Sequence, residues 1–225
     1  MLIVALCLLY TSYSQVYLQG GVNLSNITET ANGQTEKNHV LTTFNTGILS
    51  RFGLSKLVDL ESGLVLVGQG SKAETYFSAS NSDNFVKSRF NPLYLQVPLN
   101  LVIKFPFTKS SNIFFHAGPY AAIGIAGKST SESNLLGVNS TSSSDIKFSN
   151  DNPFTSKQDD ASYDKLKRFD FGVNAGGGID LGSIILKVNY GLGLTKINST
   201  QSNNGADDRN KFRTLSFSVG IPLSH

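Results

Sequence analysis

Residues 93–105 read Leu93-Tyr94-Leu95-Gln96-Val97-Pro98-Leu99-Asn100-Leu101-Val102-Ile103-Lys104-Phe105. Every odd position is apolar, while the even set holds Tyr94, Gln96, Pro98, Asn100 and Lys104. Successive side chains of an extended backbone point to opposite faces, so alternation of this length marks a strand with one apolar face. Two later stretches repeat it. In 169–181, Phe169, Phe171, Val173, Ala175, Ile179 and Leu181 share a face, against Asp170, Gly172, Asn174, Gly176, Gly178 and Asp180. In 184–195, Ile184, Leu186, Val188, Tyr190, Leu192 and Leu194 oppose Lys187, Asn189, Gly191, Gly193 and Thr195.

Working outward from these stretches, the same test predicts eight strands, near 16–24, 39–52, 57–70, 92–105, 112–127, 168–181, 183–197 and 211–222. Their connections alternate in length. Those at 53–56, 106–111 and 182 are short, whereas 25–38, 71–91, 128–167 and 198–210 are long and rich in Ser, Asn, Asp and Thr. Such polar segments bury too little apolar surface to fold independently. An even strand count with short turns at one end and long polar loops at the other is the pattern of an outer-membrane barrel. A bilayer offers no water to unpaired backbone groups, so a spanning sheet must close on itself, and tilted strands of about 9–11 residues suffice to cross. The predicted fold is all-β: a closed, eight-stranded, up-and-down antiparallel transmembrane β-barrel. It has short periplasmic turns, long extracellular loops and both termini in the periplasm.

Aromatic residues are expected in two interfacial girdles. Phe52, Phe105, Phe107, Phe114 and Phe115 fall at the short-turn end, and Phe90, Tyr94, Phe169, Phe171 and Phe212 at the long-loop end. Pro98, Pro119 and Pro222 lie inside predicted strands, where each removes a ladder hydrogen bond, so bulges are expected there.

The 225 residues point to one domain. One cysteine excludes a disulfide scaffold or a cysteine-based zinc site. The net charge of +3 is too small and too scattered for nucleic-acid binding. Residues 1–9 are an unbroken apolar run, too short to span a bilayer as a helix but fitting the core of a secretory signal, with cleavage near Ser14 or Gln15. No positively charged segment precedes that run. The expected organisation is a signal peptide at 1–15 and a barrel domain at 16–225. Cys7 would leave with the signal.

Tyr94-Leu95-Gln96-Val97-Pro98-Leu99, Ala117-Gly118-Pro119-Tyr120, Phe169-Asp170-Phe171-Gly172 and Tyr190-Gly191-Leu192-Gly193-Leu194-Thr195, with the opening Gly20-Gly21-Val22-Asn23-Leu24, resemble the PorT-type outer-membrane β-barrel family of Bacteroidota. The resemblance runs over nearly the whole chain after residue 15. It implies a barrel placed by the barrel-insertion machinery and surrounded by outer-membrane lipid. Pro98 and Pro119 match family positions. The chain departs from the family in ending Gly220-Ile221-Pro222-Leu223-Ser224-His225, without a terminal aromatic.

If the apolar parity faces lipid, the other parity lines the lumen. Arg51, Asp59, Glu61, Lys104, His116, Asp180 and Lys187 then fall toward the short-turn end with mixed signs. An eight-stranded interior is only wide enough for side chains, and buried charges persist only when paired. A structural salt-bridge plug is expected; an ion or proton path is the rival. Some small barrels of this membrane modify lipid with a His, a Ser and a carboxylate on the outer surface; of the three histidines, His39, His116 and His225, His116 falls at the opposite end from the long loops and His39, near the loop end, has no distinctive Ser or acidic partner. No catalytic residue, cofactor or metal site is therefore expected. The loop 128–167, containing Asp159 to Arg168, reads as a solvated surface loop that could also engage an unknown protein partner. The Gly176-Gly177-Gly178 run lacks the Lys-Ser/Thr and helix of a phosphate loop and fits close packing in a narrow barrel. The expected role is non-enzymatic: surface interaction, or an accessory part in envelope assembly or secretion. A lipid-modifying barrel enzyme and a soluble, secreted ligand-binding barrel with its apolar parity inward are the alternatives.

Overall fold

The computed structural model describes residues 14–31, 34–36, 39–76, 84–135, 137–150, 165–195, 197 and 211–223. Eight strands form its body: β1 (Ser14–Ala31), β2 (Leu41–Gly53), β3 (Val58–Gly68), β4 (Phe85–Pro106), β5 (Asn112–Leu135), β6 (Phe169–Asp180), β7 (Ile185–Gly193) and β8 (Lys211–Pro222). Each pairs antiparallel with its neighbours in sequence, and β1 pairs with β8, placing Tyr17 opposite Pro222 and Thr28 opposite Lys211. The sheet is a closed ring with no edge at membrane height, the solution that hydrocarbon demands. Even the 9-residue β7 is long enough to cross when tilted.

The parity of the side chains decides which face is inside. Val97, Leu99, Leu101 and Ile103 of β4 are exposed, and Gln96, Asn100 and Val102 are buried. In β6 and β7, Val173, Ile179, Leu186, Val188 and Tyr190 are exposed, while Asp170, Asn174, Asp180 and Lys187 are buried. The apolar set therefore faces outward, the reverse of a soluble ligand-binding barrel. The outer belt reaches the turns, where Leu54, Leu57, Phe107, Leu181 and Ile184 are also exposed.

Four sequence expectations need correction. Phe114, Tyr94 and Phe212 are not girdle residues but lie in the lumen, at most 1% exposed, and Phe90 packs inward against the same mouth cluster as Tyr94. Position along a strand sets a residue's height, but only its parity sets its side. No bulge sits at the prolines. Ser62 opposite Leu99 and Val65 opposite Gln96 keep one register across Pro98. The single register shift between β4 and β5 falls at Leu93/Tyr94 instead. One missing donor leaves a gap in a ladder and does not require an extra residue.

The segments 71–91 and 128–167 are not simply solvated loops. β4 begins at Phe85 and β5 runs on to Leu135, and beyond the belt they are flanked by strands Ser71–Tyr76 and Val138–Asp145. Lys147–Ser149 and Lys165–Lys167 pair parallel with each other. Finally, β1 starts at Ser14, opposite Phe52, two residues before its expected start. Residues 1–13 of the expected signal, 151–164 of the longest loop and His225 lie outside the described residues.

A charge on the outer face at mid-belt should be costly. Leu101→Arg is expected to lose roughly 2–4 kcal/mol in urea unfolding of the liposome-embedded barrel. Thr141→Arg, on the exposed strand beyond the belt, should change stability by less than about 0.5 kcal/mol. Equal effects at the two positions would contradict the placement of the belt.

Candidate functional site

At the turn end, the turn after β2 fixes Arg51 directly opposite Glu61, and Glu61 faces Asn100 on its other side. The Glu61 side chain is fully buried and collects four donors. Arg51 Nε donates to Oε2 at 3.0 Å and Tyr17 Oη to the same oxygen at 2.7 Å. Lys187 Nζ reaches Oε1 at 2.5 Å, and Asn100 Nδ2 donates to it at 3.1 Å. Arg51 also donates through Nη1 to Asp180 Oδ2 at 3.4 Å. Its guanidinium carbon lies 4.1 Å from the ring centroid of Phe114 and 5.3 Å from that of Tyr17.

These contacts cross the ring. β3 and β7 stand four places apart among eight strands, so the Lys187–Glu61 pair spans the lumen, and Arg51–Asp180 does the same between β2 and β6. Of the residues expected in the lumen, Arg51, Glu61, Asp180 and Lys187 therefore form one group. Lys104 and Asp59 pair separately at 2.7 Å nearer the turn-end opening, where the Lys104 side chain is 25% exposed. His116 is buried, and its Nε2 shares a hydrogen bond of 2.9 Å with Asn189 Oδ1. His39 is exposed, with its backbone bridged to Lys72. Space for the inner rings comes from glycines: a Cβ on Gly178 would sit 2.6 Å from the Phe114 ring, and one on Gly176 2.7 Å from His116.

Sequence reasoning missed Tyr17, Asn100 and Phe114. The signal was present in parity, since Tyr17 shares a face with Asn23 and Asn100 with Gln96. It was obscured at Ile113-Phe114-Phe115, where both parities are apolar.

A second brace lies toward the loop end. Tyr94 on β4 and Phe212 on β8 meet edge-on across the ring, with centroids 5.6 Å apart. They belong to an apolar cluster with Ile27, Tyr120, Ala122, Ile146, Leu166 and Ile197. Beside it the buried Asp170 carboxylate accepts from Tyr120 Oη at 2.9 Å and from the Thr195 hydroxyl. Asp170, read from sequence only as one of the polar face of β6, is thus a lumen residue of its own. Among the described residues, no group of three or more His, Cys, Asp or Glu could hold a metal ion.

Comparison with known proteins follows this geometry. Residues 10–199 match the family described as outer membrane protein beta-barrel domain. The chain belongs to that family, and it is an outer-membrane barrel. Solved structures it resembles include the attachment invasion locus protein Ail of Yersinia pestis, at 13% identity and a TM-score of 0.44, covering 93% of this chain and 99% of that one. Neisserial surface protein A follows at 11% identity and 0.39, covering 94% and 100%. OprG of Pseudomonas aeruginosa has 12% identity and 0.37, covering 94% and 93%. No curated protein matches the sequence.

Removing one member of a buried ion group leaves its partners charged and unpaired, which costs about 3–5 kcal/mol. Glu61→Gln is expected to destabilise the folded barrel by that amount in urea titrations followed by gel mobility. Asp59→Asn, which frees only the partly exposed Lys104, should cost less than about 1 kcal/mol. An inverted order would refute the assignment of Glu61 as the hub.

Proposed function

We propose that this barrel is a non-enzymatic surface component whose lumen is structural and whose partner-facing work is done beyond the belt at its loop end. In this reading the turns and both termini are periplasmic, the loops extracellular, and the role is surface interaction or an accessory part in envelope assembly or secretion. The resemblance to the PorT type supports the second form of that role. The observation that carries the proposal is the brace at Glu61. With Arg51, Glu61 and Lys187 each no more than 7% exposed and tied across the ring, the interior at that height is filled by side chains. A lumen blocked at that height leaves the outside surface as the part available to protein partners. His116 is buried inside the ring and engaged with Asn189.

The surface in question is the sheet that β4 and β5 continue above the belt, with strands Ser71–Tyr76 and Val138–Asp145 on its flanks. All eight residues of Val138–Asp145 are exposed. The purified barrel in planar bilayers should show no conductance above background. In intact cells, a photo-crosslinking residue at Thr141 should yield a discrete protein adduct, and one at Ala175 on the lipid face should not. Steady ion conductance would overturn the structural lumen. Equal protein adducts at both positions would remove the case for the extended sheet.

A further inference from the structure

The lumen between the two braces is not solid. A cavity of about 50 Å³ lies there, walled by Asn45, Gln96 and Ser216, with Asn100 toward the Glu61 brace and Tyr120 and Phe212 toward the loop end. The side-chain oxygens of Gln19, Gln69 and Asn100 border it, are buried, and meet no donor among the described residues. Buried acceptors without donors are costly, and a polar cavity needs about 10–15 Å³ per water, so this one has room for roughly four. The ionic brace beneath is balanced, Arg51 and Lys187 against Glu61 and Asp180. An added ion would be uncompensated. The chamber therefore suits water, or another small uncharged species that donates hydrogen bonds.

The chamber's roof at the loop end is Tyr120 and Phe212 of the ring, with Tyr94 meeting Phe212 edge-on, and chain that is not part of the ring packs against that roof. Ile146 and Leu166 are buried in the mouth, and the Phe148 ring meets Tyr94 edge-on at 5.8 Å. The wall is cut to receive them. A Cβ on Gly124 would lie 2.1 Å from the Phe148 ring, and one on Gly127 would lie 2.9 Å from Ile146 Cδ1. Neither glycine has a positive φ, so it is space that requires them. Residues three apart in a regular strand point to opposite faces. The register shift between β4 and β5 comes at this height, with Ile125 and Ala126 both exposed outside, and it lets both glycines open inward. Hydrogen bonds that tie the covering segments to the wall include Ile146 N to Gly127 O at 2.9 Å, Gly124 N to Arg168 O at 2.7 Å and Tyr94 Oη to Lys167 O at 3.4 Å.

We propose that residues 146–149 and 165–167 form a stopper seated in the notch of Gly124 and Gly127. Seated, it backs the Tyr94–Phe212 roof and so shuts the hydrated chamber from the loop end. Withdrawn, it frees those rings to part and admits small uncharged, hydrogen-bond-donating solutes to a dead-end site above the ionic brace, with the ring intact. The inference stands independently of the surface role proposed above.

The test uses the full chain folded in liposomes, in a Cys7→Ser background, with methyl methanethiosulfonate as a small neutral thiol probe. Ser216→Cys, in the chamber wall, should label at least about tenfold more slowly than Ser142→Cys on the exposed strand, because its rate follows the open fraction. Adding Gly124→Val, which fills the notch, should bring the chamber cysteine to within about threefold of the exposed one by the same relation. Phe148→Ala, which leaves the wall unchanged, should do the same and serves if the valine variant does not fold, folding being read by the heat-dependent gel shift. Conductance of the Phe148→Ala barrel should stay at background because the ionic brace still closes the far end. Fast labelling of Ser216→Cys with the stopper intact would overturn the proposal. So would slow labelling in every folded stopper variant, or ion conductance once Phe148 is removed.

Discussion

In a ring of eight strands each strand has an opposite four places away, and the interior is so narrow that side chains from opposite strands touch. The structure uses this on all four diameters. Lys187 on β7 reaches Glu61 on β3, and Arg51 on β2 reaches Asp180 on β6. Tyr94 on β4 meets Phe212 on β8. Tyr17 on β1 and Phe114 on β5 both lie against the Arg51 guanidinium. Backbone bonds fix only neighbours around the ring. Contacts across it fix the shape of the ring's cross-section, and each depends on closure having already occurred.

That dependence separates what the residues reveal in order from what they reveal only in space. Strand number, the division into two parities and the height of the charges are readable, because alternation and turn position are local, whereas alternation alone does not say which parity faces inward. Arg51 opposite Glu61 follows from the turn between them. Lys187 against Glu61 joins residues 126 apart in the chain and has no local trace. The strands beyond the belt were missed for a different reason. Above the membrane neither face of a sheet must be apolar, so Val138–Asp145 shows no alternation and reads as a polar loop. The inward placement of Tyr94, Phe114 and Phe212 is not legible from their height along the strands, because height carries no information about side.

The lumen has a vertical order of its own. Charges and apolar residues such as Leu49, Val102 and Ile185 share the turn end, amides occupy the middle, and aromatic and aliphatic residues hold the loop end. In the middle, Asn45 Nδ2 donates to Asn23 Oδ1 at 2.6 Å while Asn45 Oδ1 accepts from Gln19 and Ser218. Asn23 in turn donates to the Gly68 carbonyl at 3.1 Å. Amides can give and accept at once, so they join several strands without adding charge. The outer face is ordered by the bilayer instead, apolar through the belt with Phe52, Phe105, Phe107 and Phe115 exposed at its turn end.

An apolar floor of the same volume would be expected to be about as stable as the ionic one, since desolvating the ions offsets much of their attraction. What the ions add is discrimination between registers. A slip of one residue moves every side chain of a strand to the opposite face. For β3 it would carry Glu61 and Asp59 into lipid, leave Lys187 in the lumen without its carboxylate and leave Arg51 with Asp180 alone. Charge in the hydrocarbon region is costly, so only one register of the ring keeps all four ions paired. A floor of leucines would tolerate the slip with little penalty on either face. The ionic group is therefore better understood as the element that makes closure unique than as the element that makes it strong.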